Sequence, residues 1–169
     1  MIAGIPSAEE VFRPLDSRVS IDWLVNEGDH IEANTRLGRF TGPARTLLTG
    51  ERTALNFIQM LSAVASRTRD LATLVKGTPA RVFETRKTIP GLRDAQKYAV
   101  KAGGGDNRRI GLFGQILIKE NHIASAGSNA QTIQAARQMH PTIKVQVEVE
   151  TFVELEESFD AQPDIIMLD

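Results

Sequence analysis

Residues 144–169 read KVQVEVETFVELEESFDAQPDIIMLD, and this stretch decides the fold. Lys144 to Val149 alternates Val145, Val147 and Val149 with Gln146 and Glu148, the period of two of a β-strand. Thr151 to about Phe159 has helical spacing, and Ile165-Ile166-Met167-Leu168 is the short apolar run of a buried parallel strand. Strand, helix and strand of these lengths predict a βα unit of a parallel sheet or barrel. The same alternation extends backwards. Gln115-Ile116-Leu117-Ile118 reads as a strand and Ser128 to Met139 as a helix, preceded by a strand at Val82-Phe83-Glu84-Thr85 and a helix from Leu92 to Lys101. Four such strands predict an open parallel α/β barrel, incomplete because no covering helix follows Leu168 and a closed barrel needs more strands.

The first half follows another pattern. Val19 to Val25 has strand character, Asn26-Glu27-Gly28-Asp29 is a turn, and Leu37 to Pro43 is a second short run closed by breakers. From Gly50 to about Lys76, Leu55, Ile58, Leu61 and Ala65 fall on one helical face, continued by Leu71, Leu74 and Val75, with Gly77 as the stop. One long helix, or two joined near Ser66, is expected. The fold class is therefore α/β in two parts. Residues 1–76 form a partial N-terminal α/β sandwich of half-barrel type with its linking helix, and residues 77–169 the first part of the barrel.

Composition narrows the chemistry. With 41% apolar and 24% charged residues in 169, the chain is globular rather than disordered. No apolar run approaches the roughly 18 residues of a membrane span, and the first residues lack the form of a secretory signal, so a cytoplasmic location is expected. The absence of cysteine excludes thiol nucleophiles, disulfides and thiolate metal sites. A net charge of −1 excludes a global field for nucleic acid or anionic membranes, so any anion site must be a local cluster.

Ligands of parallel α/β folds bind at the carboxyl ends of the strands. All four strand ends here carry charge: Arg86-Lys87 after Thr85, Lys119-Glu120 after Ile118, Glu148 and Glu150 about Val149, and Asp169 after Leu168. Any one of these could be the solvated start of a loop, but a polar barrel mouth accounts for all of them together. Arg108-Arg109 adds a second basic pair behind Gly103-Gly104-Gly105, a run that either approaches a ligand or ends the preceding helix. Arginine forks suit carboxylates and lysine suits phosphate, so this set suits a small polyanion. Glu148 and Asp169 offer hard oxygen ligands for magnesium or ribose hydroxyls. His122 reads as a loop-holding histidine, and no nucleophilic triad or zinc spacing is present.

Several of these segments carry a resemblance. Gly50-Glu51-Arg52-Thr53-Ala54-Leu55-Asn56, Thr85-Arg86-Lys87-Thr88-Ile89-Pro90-Gly91-Leu92-Arg93, Lys97-Tyr98-Ala99-Val100, Ile118-Lys119-Glu120-Asn121-His122, Val147-Glu148-Val149-Glu150 and Ile166-Met167-Leu168-Asp169 closely resemble the quinolinate phosphoribosyltransferases. This family is also called carboxylating nicotinate-nucleotide pyrophosphorylase. The resemblance runs in order through nearly the whole chain. It implies a transferase, at least a homodimer, that joins quinolinate to phosphoribosyl pyrophosphate with Mg2+ and releases pyrophosphate and CO2, giving nicotinate mononucleotide for NAD synthesis.

By motif, the resemblance implies that Arg52 reaches a neighbouring subunit's site. Arg86, Arg109 and Lys119 would clamp the quinolinate carboxylates, with Arg108 beside them. Lys87 would contact the phosphoribosyl substrate and act catalytically with Glu148 and Asp169, which would hold ribose hydroxyls or, directly or indirectly, Mg2+. Three departures stand out: Arg108 where the family has histidine, Gly114 where an aspartate is common, and Glu84 where the family has aspartate. The family's chain also begins earlier and continues further. This chain alone is therefore expected to be impaired or inactive. The alternatives are a paralogous phosphoribosyltransferase-fold protein of other specificity, or a non-catalytic truncated product.

Overall fold

The computed structural model describes residues 1–109, 111 and 114–169. The chain forms two compact units, residues 1–108 and 109–169, described in turn.

The first unit opens with α1 (Ile5–Phe12), a helix too short for its periodicity to stand out in the sequence. Its free N–H groups need acceptors, and the Glu27 carboxylate supplies them, accepting from Gly4 N–H at 2.6 Å and Ile5 N–H at 3.0 Å. Strands β1 (Ser20–Trp23) and β2 (Gly38–Thr41) pair antiparallel with Ile21 opposite Phe40. Phe40 packs edge-on against Trp23 and tilted against Phe12, with ring centres 5.5 Å apart in each case. These rings, Ala8, Ala54 and Ile58 make one core.

Helix α2 (Ala44–Leu74) is a single unbroken helix of 31 residues. It buries the stripe Ala54, Ile58, Leu61, Ala65 and Thr68; Ile58, Leu61 and Ala65 lie on the face that the apolar spacing predicts, whereas Leu55, Leu71 and Leu74, expected beside them, are exposed. Of the two expected forms the single helix is the one observed, with no joint near Ser66. Ser66 Oγ accepts from the Met1 ammonium at 3.0 Å, and Ser62 Oγ accepts from Ala3 N–H at 3.0 Å, so the chain start lies along the helix. Gly50 is inside α2 because the Phe12 ring occupies the space its Cβ would need.

Helix α3 (Arg93–Ala102) lays Ala99 into a second core with Ala3, Leu61 and Ala65. This packing carries the first compact unit on to Arg108, past the division after Lys76 that the change of sequence pattern suggests. The strand expected at Val82 to Thr85 reduces to one parallel bridge, Phe83 with Asp106. The reason is local: Asp106 and its neighbours leave a glycine turn and offer a single extended partner, while Glu84 turns to α3. The glycine run is structural. A Cβ on Gly103 would collide with the Ala65 carbonyl and Thr68, one on Gly105 would meet Thr68 Cγ2 at 2.7 Å, and Gly104 has φ +85°.

The second unit runs β3 (Ile116–Ile118), α4 (Glu120–Ala126), α5 (Asn129–Met139), β4 (Val145–Val149), α6 (Phe152–Ala161) and β5 (Ile165–Leu168). The strands are parallel in the order β3-β4-β5, which is chain order, as in a barrel rather than a doubly wound sheet. Val145, Val147 and Val149 pack with Ile118, Ile133 and Ala136 beneath the helices. Thr151 and Glu154 form a reciprocal cap on α6, at 3.2 and 3.1 Å. Buried Asn129 donates from Nδ2 to Ser158 Oγ and to the Glu154 carbonyl, both at 3.0 Å, tying α5 to α6. No helix of the described residues is long and apolar enough to cross a membrane.

If α3 ends against α2 through Gly103, Gly103→Ala should destabilise the chain by about 1–3 kcal/mol through overpacking. Chemical denaturation reads this as a lowered midpoint with an unchanged slope; an unaltered midpoint contradicts the contact.

Candidate functional site

Strand β4 is buried on both faces. The valine face is ordinary core. The other face, expected from the alternation to look into a polar environment, buries Gln146 and Glu148 at 3% and 8% exposure, and buried polar groups need partners. Gln115 Nε2 donates to Gln146 Oε1 at 2.8 Å, and Gln146 Nε2 reaches Met167 Sδ at 3.2 Å. One step further along, Lys119 Nζ donates to Glu148 Oε1 at 2.9 Å. Gln146 and Glu148 thus tie β4 to residues flanking β3, and Gln146 also to β5.

The register brings a third charge to this row. Glu148 lies opposite Met167, and Asp169 follows two residues later on the same face. Asp169 N–H donates to the Val149 carbonyl at 3.1 Å, which carries the ladder past the end of β5. Lys119, Glu148 and Asp169 thus stand at the carboxyl ends of three adjacent parallel strands. The hydrogen bond to Glu148 holds the Lys119 ammonium above its ordinary pKa; burial works against this, and the charges of Glu148, Glu120 and Asp169 add to it.

Other expected residues of this unit sit elsewhere. His122 Nδ1 accepts from Lys119 N–H at 3.1 Å, which fixes the start of α4 and makes His122 a loop-holding residue. Arg109 Nη1 donates to the Gln115 carbonyl at 2.7 Å, at the amino end of β3 and so at the opposite end of that strand from Lys119. Gly114 lies beside it: a Cβ there would be 3.4 Å from Arg109 Cβ. The basic group next to the missing aspartate is therefore Arg109, and its guanidinium is engaged with main chain.

In the first unit, Arg86 and Lys87 are exposed on the loop between Thr85 and Leu92. That loop is held to α3: Arg93 Nη2 donates to the Arg86 carbonyl at 3.4 Å, and Gln96 Oε1 accepts from Ile89 N–H at 2.8 Å. Thr85 Oγ1 accepts from Lys87 N–H at 3.2 Å. The Arg108 guanidinium lies 5.7 Å from the centre of the Phe83 ring, and its main chain is held by Glu84 and Lys97. Arg52 is exposed on α2, turned away from the buried Ala54 and Ile58. An apolar cavity of about 410 Å³ between α1, the β-hairpin and α2 contains none of these residues.

The donor set limits what metal the second unit could hold. Among the described residues no three His, Cys, Asp or Glu side chains come together as a metal cage. Glu148 and Asp169 supply two hard-oxygen groups, one of them bonded to Lys119. That fits a Mg2+ ion that keeps its waters and rides on substrate phosphates, and does not fit a dedicated protein site.

The residues that sequence reasoning missed are Gln115 and Lys97. The signals for them are indirect: Gln115 precedes the apolar Ile116–Ile118, and Lys97 opens the resembling segment Lys97-Tyr98-Ala99-Val100 on the packed face of α3.

Comparison with known proteins places this arrangement. Residues 1–62 match the N-terminal domain of quinolinate phosphoribosyl transferase and residues 64–169 its C-terminal domain. The chain therefore belongs to the quinolinate phosphoribosyltransferase family. It is 40% identical, over its whole length, to a probable carboxylating nicotinate-nucleotide pyrophosphorylase of Synechocystis, and 41% identical to one of Bacillus subtilis. It spans 58% and 59% of those proteins. It also superposes on a nicotinate-nucleotide pyrophosphorylase structure from Francisella tularensis with a TM-score of 0.96 and 46% identity, covering 99% of this chain and 60% of that one.

Because the Lys119 pKa is raised in the fold, the pair's contribution to stability is complete below the ordinary lysine pKa and is lost as pH rises through the folded value. Glu148→Gln should lower the Lys119 titration midpoint, as followed by NMR of the side-chain methylene next to Nζ. An unmoved midpoint contradicts the pairing.

Proposed function

We propose that this chain carries part of the active site of a quinolinate phosphoribosyltransferase, a cytoplasmic enzyme working as a homodimer or larger homo-oligomer. Its reaction would convert quinolinate and phosphoribosyl pyrophosphate into nicotinate mononucleotide, pyrophosphate and CO2. The observation that supports this reading best is the pair of half-exposed Lys119 with buried Glu148 beside Asp169, one cation and two carboxylates at adjacent strand ends. Such a set has one group for a substrate carboxylate and two for a sugar that becomes positive.

The chemistry follows from those groups. The pyridine nitrogen lone pair forms a bond to the ribose anomeric carbon while the carbon–oxygen bond to pyrophosphate breaks, its electron pair leaving with pyrophosphate. Positive charge grows on the sugar, and Glu148 and Asp169 stabilise it electrostatically and hold the ribose hydroxyls. The carboxylate next to the new bond is then lost as CO2. The electrons of that carbon–carbon bond return to the ring carbon, drawn by the cationic nitrogen, and a proton completes it.

Lys119, Arg86 and Arg108 are assigned to the quinolinate carboxylates, where the main effect is positioning, and Lys87 to the phosphoribosyl substrate; Arg109, held to the Gln115 carbonyl at the other end of β3, is not assigned to that clamp. Mg2+ bound to the pyrophosphate would neutralise the leaving charge. Arg52, exposed on α2, is assigned to a neighbouring subunit's site.

Calorimetric titration of the chain with quinolinate tests the assignment. Binding is expected, and Lys119→Ala should weaken it roughly 10- to 100-fold, the effect of one charge-assisted hydrogen bond. Unchanged affinity in Lys119→Ala contradicts the assignment. Tighter binding of nicotinate than of quinolinate would point instead to a relative of other specificity, and quinolinate binding without nucleotide formation to a non-catalytic product.

A further inference from the structure

The least expected feature of the first unit is a buried ion pair. Glu84 and Lys97 have side chains 8% and 4% exposed, and Glu84 Oε1 contacts Lys97 Nζ. Neither is among the residues assigned to substrate above. A buried pair is a poor source of stability, because desolvation cancels most of the attraction. What distinguishes this one is where its remaining hydrogen bonds go. Glu84 Oε2 accepts from the main-chain N–H of Arg108 at 2.8 Å, and Lys97 Nζ donates to the Arg108 carbonyl at 3.2 Å. Both main-chain polar groups of one residue are gripped by the two members of the pair.

The side chain of that residue is guided as well. Phe83, next to Glu84, lies beneath the Arg108 guanidinium at 5.7 Å and the Arg81 guanidinium at 5.3 Å. The two strips of chain are joined by the bridge from Phe83 to Asp106. Asp106 pairs in turn with Arg81 at 2.7 Å and Lys101 at 3.0 Å. Arg108 is thus held at its N–H, its carbonyl and its guanidinium by groups from residues 83–97.

We propose that Glu84 and Lys97 are positioning residues, a charged clamp that fixes the main chain of Arg108 and so the direction in which its guanidinium meets a substrate carboxylate. The inference rests on the reading of Arg108 as a carboxylate-binding residue. It assigns no contact with substrate to Glu84 or Lys97 themselves.

The test uses the full chain and a neutral pair of similar shape, Glu84→Gln with Lys97→Met, which should leave the melting temperature within a few degrees. Quinolinate affinity should fall about tenfold or more in this variant. In an Arg108→Ala background the same pair of changes should cost less than about twofold, since the clamp acts through Arg108. Equal losses in both backgrounds overturn the proposal.

A ligand-free measurement separates the clamp from the site assignment. In the unmodified chain the Arg108 amide should exchange with solvent at least about a hundredfold more slowly than an exposed one. NMR relaxation of its Nε–H group should show order that the double variant loses. An unprotected amide, or equal order in the variant, overturns the clamp even if no variant folds. Failure of the unmodified chain to bind quinolinate, with the amide protected and the order lost on substitution, would instead overturn the assignment of Arg108 to a carboxylate and leave the clamp standing.

Discussion

A carboxylate on a strand buried on both faces is the constraint around which the second unit is arranged. Glu148 is 8% exposed, and an unpaired charge there would cost several kcal/mol. Lys119 answers it from the next strand, and it can do so only because β3 and β4 are parallel in the register that sets Ile118 beside Val147. Slipping either strand by one residue would turn Lys119 to the opposite face and put a valine where Glu148 stands. The pair therefore favours the same register as the valine core does, and that register delivers Asp169 to its place.

This constraint links fold to chemistry. Polar groups at the carboxyl ends of parallel strands are where α/β architectures bind ligands, and here they are held by strand geometry rather than by mobile loops. A lysine already bonded to a carboxylate is pre-oriented, so little side-chain freedom is lost when an anion arrives. The first unit holds its basic residues by another device. Its exposed Arg86 and Lys87 lie on a loop tied to α3, and Arg108 is gripped at its main chain by a buried ion pair.

Much of this was legible in the sequence, for identifiable reasons. The period of two in Val145 to Val149, and the Thr151–Glu154 cap, mark β4 and α6 because local pattern and tertiary role agree. Helix α1 was not legible, since its cap comes from Glu27, far along the chain. Helix α4, seven residues long, follows Lys119 directly and depends on the contact from His122. Val82 to Thr85 has the composition of a strand but makes only a single bridge, because side-chain demands at Glu84 override propensity. In the site, residue types at strand ends pointed to Lys119, Glu148 and Asp169. The partnership of Glu84 with Lys97 joins residues from different elements, which no spacing rule reveals. Gly103 and Gly105 were open to a ligand-approach reading until α2 was seen to fill the space beside them.

The most direct measurement is a crystal structure of the chain soaked with quinolinate. The account predicts ligand density at the carboxyl ends of β3, β4 and β5, with a carboxylate within hydrogen-bond distance of Lys119 Nζ and the ring facing the row that contains Glu148 and Asp169. Density confined to the apolar cavity between α1 and α2, or a Lys119–Glu148 pair untouched at saturating quinolinate, would contradict it.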